Sequence, residues 1–337
     1  VAVNTNILLL LLIEQFISMK DKISIIAGGS GQFGVYLSLF LLKKGYKTII
    51  TTRNVKLAKK KIPFKNKNLI LAKLNVLKKK EIKKLILQHS PKLIFYFASQ
   101  SSPKLSFEKK KITLKSNYEG CKNFLEVIQK EGVDCKFINA TSSEIFSETK
   151  KKIKVKSKKK PISPYGEAKL MSFNKTKYFR EKKKIKAYNA IIFNTESFLR
   201  RRDYLIPKIC IAAINAFNSN TKTAFGNLDV SREWNWCEEQ VRYLTYFIRN
   251  KPQDFILSNG KPYTAKKMLY FAFKYFNLDF KKFVSRKKNF LRKKDFKLKH
   301  SDHISCLKRN NMKRKSKIYG KKLIHTLIKY YLNEKRN

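Results

Sequence analysis

Lys22-Ile23-Ser24-Ile25-Ile26-Ala27 runs directly into Gly28-Gly29-Ser30-Gly31-Gln32-Phe33-Gly34, and this join decides the fold. The first six residues read as a short apolar strand. The next seven carry glycines at GxxGxxG spacing. Residues 35–43 read as an apolar helix stopped by Gly45, and residues 47–52 as a second strand. A strand, a glycine turn, a helix and a strand are the opening of a dinucleotide-binding fold. Each glycine has a physical task there. Gly28 allows the sharp exit from the strand, Gly31 lets a pyrophosphate approach the backbone at a helix N-terminus, and Gly34 permits close helix-on-strand packing.

Outward from the join the alternation continues. Strands are expected at 69–74, 93–97, 136–140 and 187–193, and helices at 79–88, 116–131 and 165–181. Such alternation implies an α/β fold: a Rossmann-like parallel sheet with helices on both faces. Beyond about residue 204 the pattern loosens. Helices near 207–217, 238–249, 265–276 and 318–332 surround short strands such as 254–258, which reads as a smaller, mostly helical C-terminal lobe closing a cleft over the strand ends. The expected organisation is an N-terminal extension (1–21), a cofactor-binding domain with the catalytic residues (22–203) and a mainly substrate-binding lobe (204–337).

The chain has 337 residues and 43% hydrophobic content, enough for a sizeable core. Its charge is unusual: 77 Lys and Arg against 23 Asp and Glu, net +54. Charge of that size raises the question of nucleic acid. The lysines, however, are spread along the whole chain between apolar positions, as on a solvated surface. The dense runs 150–160 and 281–299 read as basic surface loops, and no dedicated nucleic-acid site is expected. The field still favours phosphate-bearing ligands. Five cysteines (121, 135, 210, 237, 306) form no CxxC pair, so neither zinc nor disulfides are expected, and a reducing, cytoplasmic compartment fits. The apolar run 7–13 is too short to span a bilayer, so no membrane association is expected. Met19 is an alternative first residue.

Chemistry is concentrated in two stretches. Tyr165-Gly166-Glu167-Ala168-Lys169 puts a phenol and an ammonium one helical turn apart on one face. A tyrosine base must lose a proton normally held until about pH 10, and a nearby cation favours that loss. Upstream, a strand end is followed by Thr141-Ser142-Ser143-Glu144, hydroxyls placed to share a substrate oxygen with the phenol. At the end of the second strand stands Thr51-Thr52-Arg53-Asn54. An acidic residue there holds the ribose hydroxyls of NAD, whereas Arg53 suits a 2′-phosphate, so NADP is expected over NAD.

The glycine turn, 140–144 and 163–170 together resemble the extended short-chain dehydrogenase/reductase family. Further stretches resemble its GDP-mannose 4,6-dehydratase branch: Ala98-Ser99-Gln100-Ser101, Phe193-Asn194-Thr195-Glu196-Ser197, Ser231-Arg232-Glu233-Trp234 and Leu291-Arg292. The resemblance runs from about Lys22 to the last helix. It implies that Ser142 orients the sugar O4, Glu144 is the acid/base, Tyr165 is the redox base, and Lys169 activates Tyr165 and binds ribose. It implies cofactor contacts from Gly28, Ser30, Gly31, Gln32, Gly34, Arg53, Asn75, Val76, Ala98, Gln100, Ser101, Lys169, Thr195 and Arg200. Asn194, Glu196, Lys208, Arg232 and Arg292 are the residues left for a nucleotide-sugar substrate. A homodimer or homotetramer is the family's usual assembly. Some positions depart from the branch: Ser142 replaces a threonine, Asn75 an aspartate, Thr195 a histidine and Asn235 a glycine. Glu144 is what turns the reading toward a dehydratase and away from a 4-epimerase or 4-keto reductase. The remaining alternative is a basic nucleic-acid-binding protein whose catalysis has drifted.

Overall fold

A computed structural model of the chain describes residues 22–147, 149, 151–287, 299–313 and 315–334. The N-terminal extension and Arg292 lie outside them. The centre is a seven-stranded, wholly parallel sheet. It contains β1 (Ile23–Ala27), β2 (Lys47–Thr52), β3 (Leu69–Lys73), β4 (Leu93–Tyr96), β5 (Lys136–Ser142), β6 (Ala187–Ile192) and the strand Asp254–Leu257. In space the order is Asp254–Leu257, β6, β5, β4, β1, β2, β3. β1 therefore has β2 on one side and β4 on the other, in parallel register Ile26 to Ile50 and Ile26 to Phe95. The order reverses at β1, which opens a crevice beyond the carboxyl ends of β1 and β4.

Side-chain alternation explains why these segments become strands covered on both faces. Ile25, Ile49, Ile94 and Phe137 share one core, and Ile26, Ile50, Phe95 and Ile138 share the opposite one. Successive strand residues point to opposite faces, and both are buried, so the strands are continuously apolar rather than alternating. A third core lies under the helices Leu205–Ser219, Ala265–Lys274 and Gly320–Glu334, around Trp234, Trp236 and Phe225. Phe271, Tyr275 and Phe276 pack against this core, as their helical spacing suggests.

Three details differ from the sequence reading. Asp254–Leu257, read together with the later lobe, pairs in parallel with β6 and so completes the central sheet. Its four apolar or edge residues carry no mark of which sheet they join. The helix expected from 116 is already helical at Lys110–Leu114 and passes through a π-turn at Lys115–Glu119 before Gly120–Lys130. That wider turn lets Asn117 reach back to Thr113 O (2.9 Å) and Gln100 O (3.2 Å), a tertiary tie invisible to helical periodicity. Lys299, read as part of a surface loop, has only 1% of its side chain exposed, because it is drawn inward to Glu144. Among the described residues no helix is long and apolar enough to cross a membrane.

Candidate active site

The glycine turn sits at the carboxyl end of β1. Gly28 has φ +74°, and a Cβ there would meet Ala98 Cα at 2.5 Å, so only glycine lets this turn touch the segment after β4. A Cβ at Gly34 would strike Gly29 Cα at 2.4 Å, whereas at Gly31 it would meet nothing within 4 Å. Gly31 thus faces open space at the start of the Gln32–Lys43 helix. That helix has no side-chain cap and no acid in its first turn. Uncapped backbone N–H groups beside a bare glycine fit a pyrophosphate. Gln32 is clamped from the other side: its Nε2 donates to Thr195 O (2.9 Å), and Ser197 Oγ donates to its Oε1 (2.7 Å). Ser30 is half-buried beside them.

The remaining expected cofactor contacts follow β2, β3 and β4. Arg53 is exposed and lines one groove together with Asn75. Asn75 N donates to Glu81 Oε2 (2.9 Å), and Val76 O accepts from Asn123 Nδ2 (3.1 Å). Gln100 N donates to Ser116 Oγ (3.1 Å), and Ser101 is exposed next to it.

Tyr165 and Lys169 lie on the Pro164–Lys182 helix. Ser163 caps it by accepting from Gly166 N (3.1 Å), with Pro164 at the first helical position. Gly166 is required by contact: a Cβ there would lie 2.6 Å from Glu144 O. The helix can therefore press against the turn that carries the carboxylate. Ser142 ends β5, and its Oγ accepts from Glu144 N (3.2 Å), shaping the one-turn helix Ser143–Ile145.

The electrostatics follow from burial. Lys169 Nζ donates to Ala140 O (2.6 Å) and sits 5.9 Å from the centre of the Tyr165 ring. Burial lowers its pKa to about 8, with Cys121 acting weakly in the other direction. Burial pushes the Tyr165 phenol well above its ordinary value. A hydrogen bond with Ser142 opposes this, Glu144 and Tyr204 add to it, and Arg200 opposes it again. Without a further cation the phenol thus stays protonated at neutral pH.

The other expected substrate and cofactor residues divide into two groups. Glu196 is 2% exposed, its Oε2 lies 3.7 Å from Arg200 Nε, and Arg200 stacks 3.7 Å over the Tyr204 ring. Burial raises the Glu196 pKa to about 7, only partly offset by Arg200. Asn194 O accepts from Asn235 N (2.9 Å) and Asn235 Nδ2 (2.7 Å), so Asn235, in place of the branch's glycine, ties two crevice segments together. Lys208 and Arg232 are held by local carbonyls: Lys208 Nζ donates to Ala224 O (2.7 Å) and Arg232 Nη1 to Ser231 O (2.8 Å). Two residues were not anticipated. Lys299 Nζ lies 3.0 Å from Glu144 Oε2. Glu233, fully buried, accepts from Gly260 N (2.9 Å), Ser301 N (2.5 Å), Ser301 Oγ (2.8 Å) and Ser258 Oγ. In sequence Lys299 is one of 77 basic residues, and nothing distinguishes it.

Comparison with known proteins identifies the family. The family model described as GDP-mannose 4,6 dehydratase matches residues 25–319. The chain is 28% identical over 273 residues to a GDP-mannose 4,6 dehydratase of Drosophila melanogaster, covering 76% of this chain and 68% of the relative. It is 28% identical over 286 residues to GDP-mannose 4,6 dehydratase 1 of Arabidopsis thaliana, covering 80% and 79%. In fold it is similar to a dTDP-glucose 4,6-dehydratase from Streptomyces venezuelae with NAD and TYD bound: TM-score 0.81, 15% identity, 93% of this chain and 98% of that one. A Thermus thermophilus UDP-glucose 4-epimerase complexed with NAD superposes with TM-score 0.79 at 14% identity, covering 91% and 99%. The structural likeness is shared by epimerases and dehydratases alike, whereas the match across 25–319 separates them: the chain belongs to the GDP-mannose 4,6-dehydratase family.

Proposed function

We propose that this chain converts GDP-mannose to GDP-4-dehydro-6-deoxy-D-mannose with NADP as its resident cofactor. The observation that carries the reading is Glu144, a carboxylate on the turn between Ser142 and the Gly166 contact, beside Tyr165. An epimerase needs the phenol and the hydroxyl. A dehydratase also needs an acid/base that can reach C5 and C6.

The glycine turn, Gln32 and Lys169 would hold the cofactor, joined by Asn75, Val76, Ala98, Gln100, Ser101, Thr195 and Arg200, with Arg53 meeting a 2′-phosphate. A nicotinamide held there would supply the redox chemistry, taking up hydride from C4 and giving it back at C6. Ser142 hydrogen-bonds O4 and turns it toward Tyr165. Tyr165 removes the O4 proton, its buried phenol brought into range by added positive charge. The resulting C4 ketone acidifies the C5 proton. Glu144 takes that proton and delivers one to the departing C6 hydroxyl, which leaves as water; Tyr165 then returns its proton to C5 as C6 regains a hydride. Asn194, Glu196, Lys208, Arg232 and Arg292 would bind the nucleotide sugar. Arginine's planar donor fork suits its phosphates. A cytoplasmic homodimer or homotetramer completes the proposal.

The purified protein incubated with GDP-mannose and NADP is expected to yield a 4-keto-6-deoxy product without net reduction of cofactor. An epimerised hexose would favour the 4-epimerase reading. Salt-sensitive binding to RNA or DNA without turnover would favour the drifted nucleic-acid-binding reading.

A further inference from the structure

Lys299 is one of few buried cations among the described residues, with Lys169 and Arg232. Burying an ammonium costs several kcal/mol unless it is paired and hydrogen-bonded. Here the ammonium meets one turn twice: Nζ lies 3.0 Å from Glu144 Oε2 and donates to Ser143 O at 3.0 Å. The side chain is fixed from behind as well. Lys299 N donates to Ser231 O (3.2 Å), Ile153 N donates to His300 O (2.7 Å), and Asp302 N donates to Ile153 O (2.8 Å). Glu233 grips Ser301 through its backbone N–H and its hydroxyl. The segment carrying Lys299 is thereby anchored to two other parts of the chain, around Ile153 and at 231–233, and the ammonium is delivered to Glu144 without freedom to swing away.

We propose that Lys299 is a positioning residue for Glu144, holding one carboxylate oxygen in place and keeping the group ionised for proton removal at C5 of a bound hexose. The reaction it serves rests on the dehydratase reading, but the pairing does not. Among the described residues, Lys299 faces Glu144 from the segment beginning at 299 and Tyr165 from the Pro164–Lys182 helix, with Arg200 and Tyr204 acting on Tyr165 from beyond. A protonated Tyr165 brings no charge, whereas Lys299 brings a positive one to 3.0 Å from the carboxylate. An opposite charge within about 4–6 Å favours an ionised carboxylate by about one to three pH units. Losing it removes that charge from beside a side chain only 12% exposed.

The test is a carbon-13 titration of ligand-free protein labelled at the glutamate carboxyl, with the Glu144 resonance assigned by its loss in Glu144→Gln. In Lys299→Met the midpoint is expected to rise by about one unit or more. Lys299→Arg should stay near the wild type. Should the Met variant not fold, Lys299→Gln carries the same comparison. An unmoved midpoint in the uncharged variant overturns the proposal, as does an Arg variant that behaves like Met. With GDP-mannose and NADP, Lys299→Met should lose about tenfold or more in kcat at pH 6 and less at pH 9, with the first cofactor reduction unchanged. If the wild type makes no 4-keto sugar, the dehydratase reading fails while the titration still judges Lys299. If it makes the product and the midpoint does not move, Lys299 fails and the reading stands.

Discussion

Tyr165 and Glu144 are held at the crevice in contrasting ways. Tyr165 arrives with Lys169 on one helix, and what places them is local: the Ser163 cap, Pro164, and a glycine that lets the helix close on its neighbour. Glu144 arrives on a three-residue turn, and Lys299, which pairs with it and bonds Ser143, lies 156 positions from that serine. The Tyr165 half is a module that could be lifted whole from a sequence motif. The Glu144 half exists only once the later lobe has folded back over β5. Under the proposed function the first half would oxidise and the second eliminate, so the crevice could keep one while losing the other.

The sharpest way to break this contrast is to remove one half at a time. Tyr165→Phe is expected to lower kcat by about 10²–10⁴ and to abolish single-turnover cofactor reduction at 340 nm. Glu144→Gln should lose product on the same scale yet retain that reduction. Two variants halted at the same step would show that the halves are not separable.

A smaller effect is expected where the Glu144 half is anchored. Glu233→Ala strands the Ser258, Gly260 and Ser301 donors, each at a cost of about 1–3 kcal/mol if left unsatisfied. The midpoint of thermal unfolding should fall, and the Ser301 amide should lose its protection from hydrogen exchange while β1 amides keep theirs. Equal loss in both places would mean that Glu233 supports the whole fold rather than one half.

Glu196 sharpens the comparison through pH. Its folded pKa is raised by burial to about 7 from the ordinary 4.5. The stability linked to its proton is fully present below about pH 4.5 and is lost as pH rises through about 7. Glu196→Gln should therefore stabilise the protein more at pH 8 than at pH 5, by an increment on the order of 2–3 kcal/mol, read as a widening gap between thermal midpoints. A gap that does not depend on pH would rule out a buried, proton-holding Glu196.

The smallest effect belongs to Arg53. It is exposed, so Arg53→Ser should weaken NADP relative to NAD by no more than about fivefold, and by less in high salt. Equal KM values for the two cofactors in the wild type would remove the basis for this preference.

The Rossmann-like half of the molecule was legible in the sequence because its signals are short-range. Glycine spacing, the apolar strands and the YxxxK turn all act within a few residues of backbone, and the observed element bounds fall within a few residues of those read from the pattern. That the strand at 254–257 joins the central sheet was not legible, since Phe255, Ile256 and Leu257 are apolar wherever they pair. Nor was the π-turn at Lys115–Glu119, which exists to bring Asn117 to Gln100.

By itself, then, the sequence determined six of the seven sheet strands and the glycine turn, because local sterics and hydrophobic alternation specify them, and it offered Tyr165, Glu144 and Ser142 as candidate base, acid and hydroxyl. Only the tertiary structure decided which lysine of so many would meet Glu144 and which carboxylate would clamp its segment in place. Charge alone cannot select among chemically identical surface cations. The choice was made by backbone anchors at Ser231, Ile153 and Glu233, which bring Lys299 to a carboxylate far away in the chain.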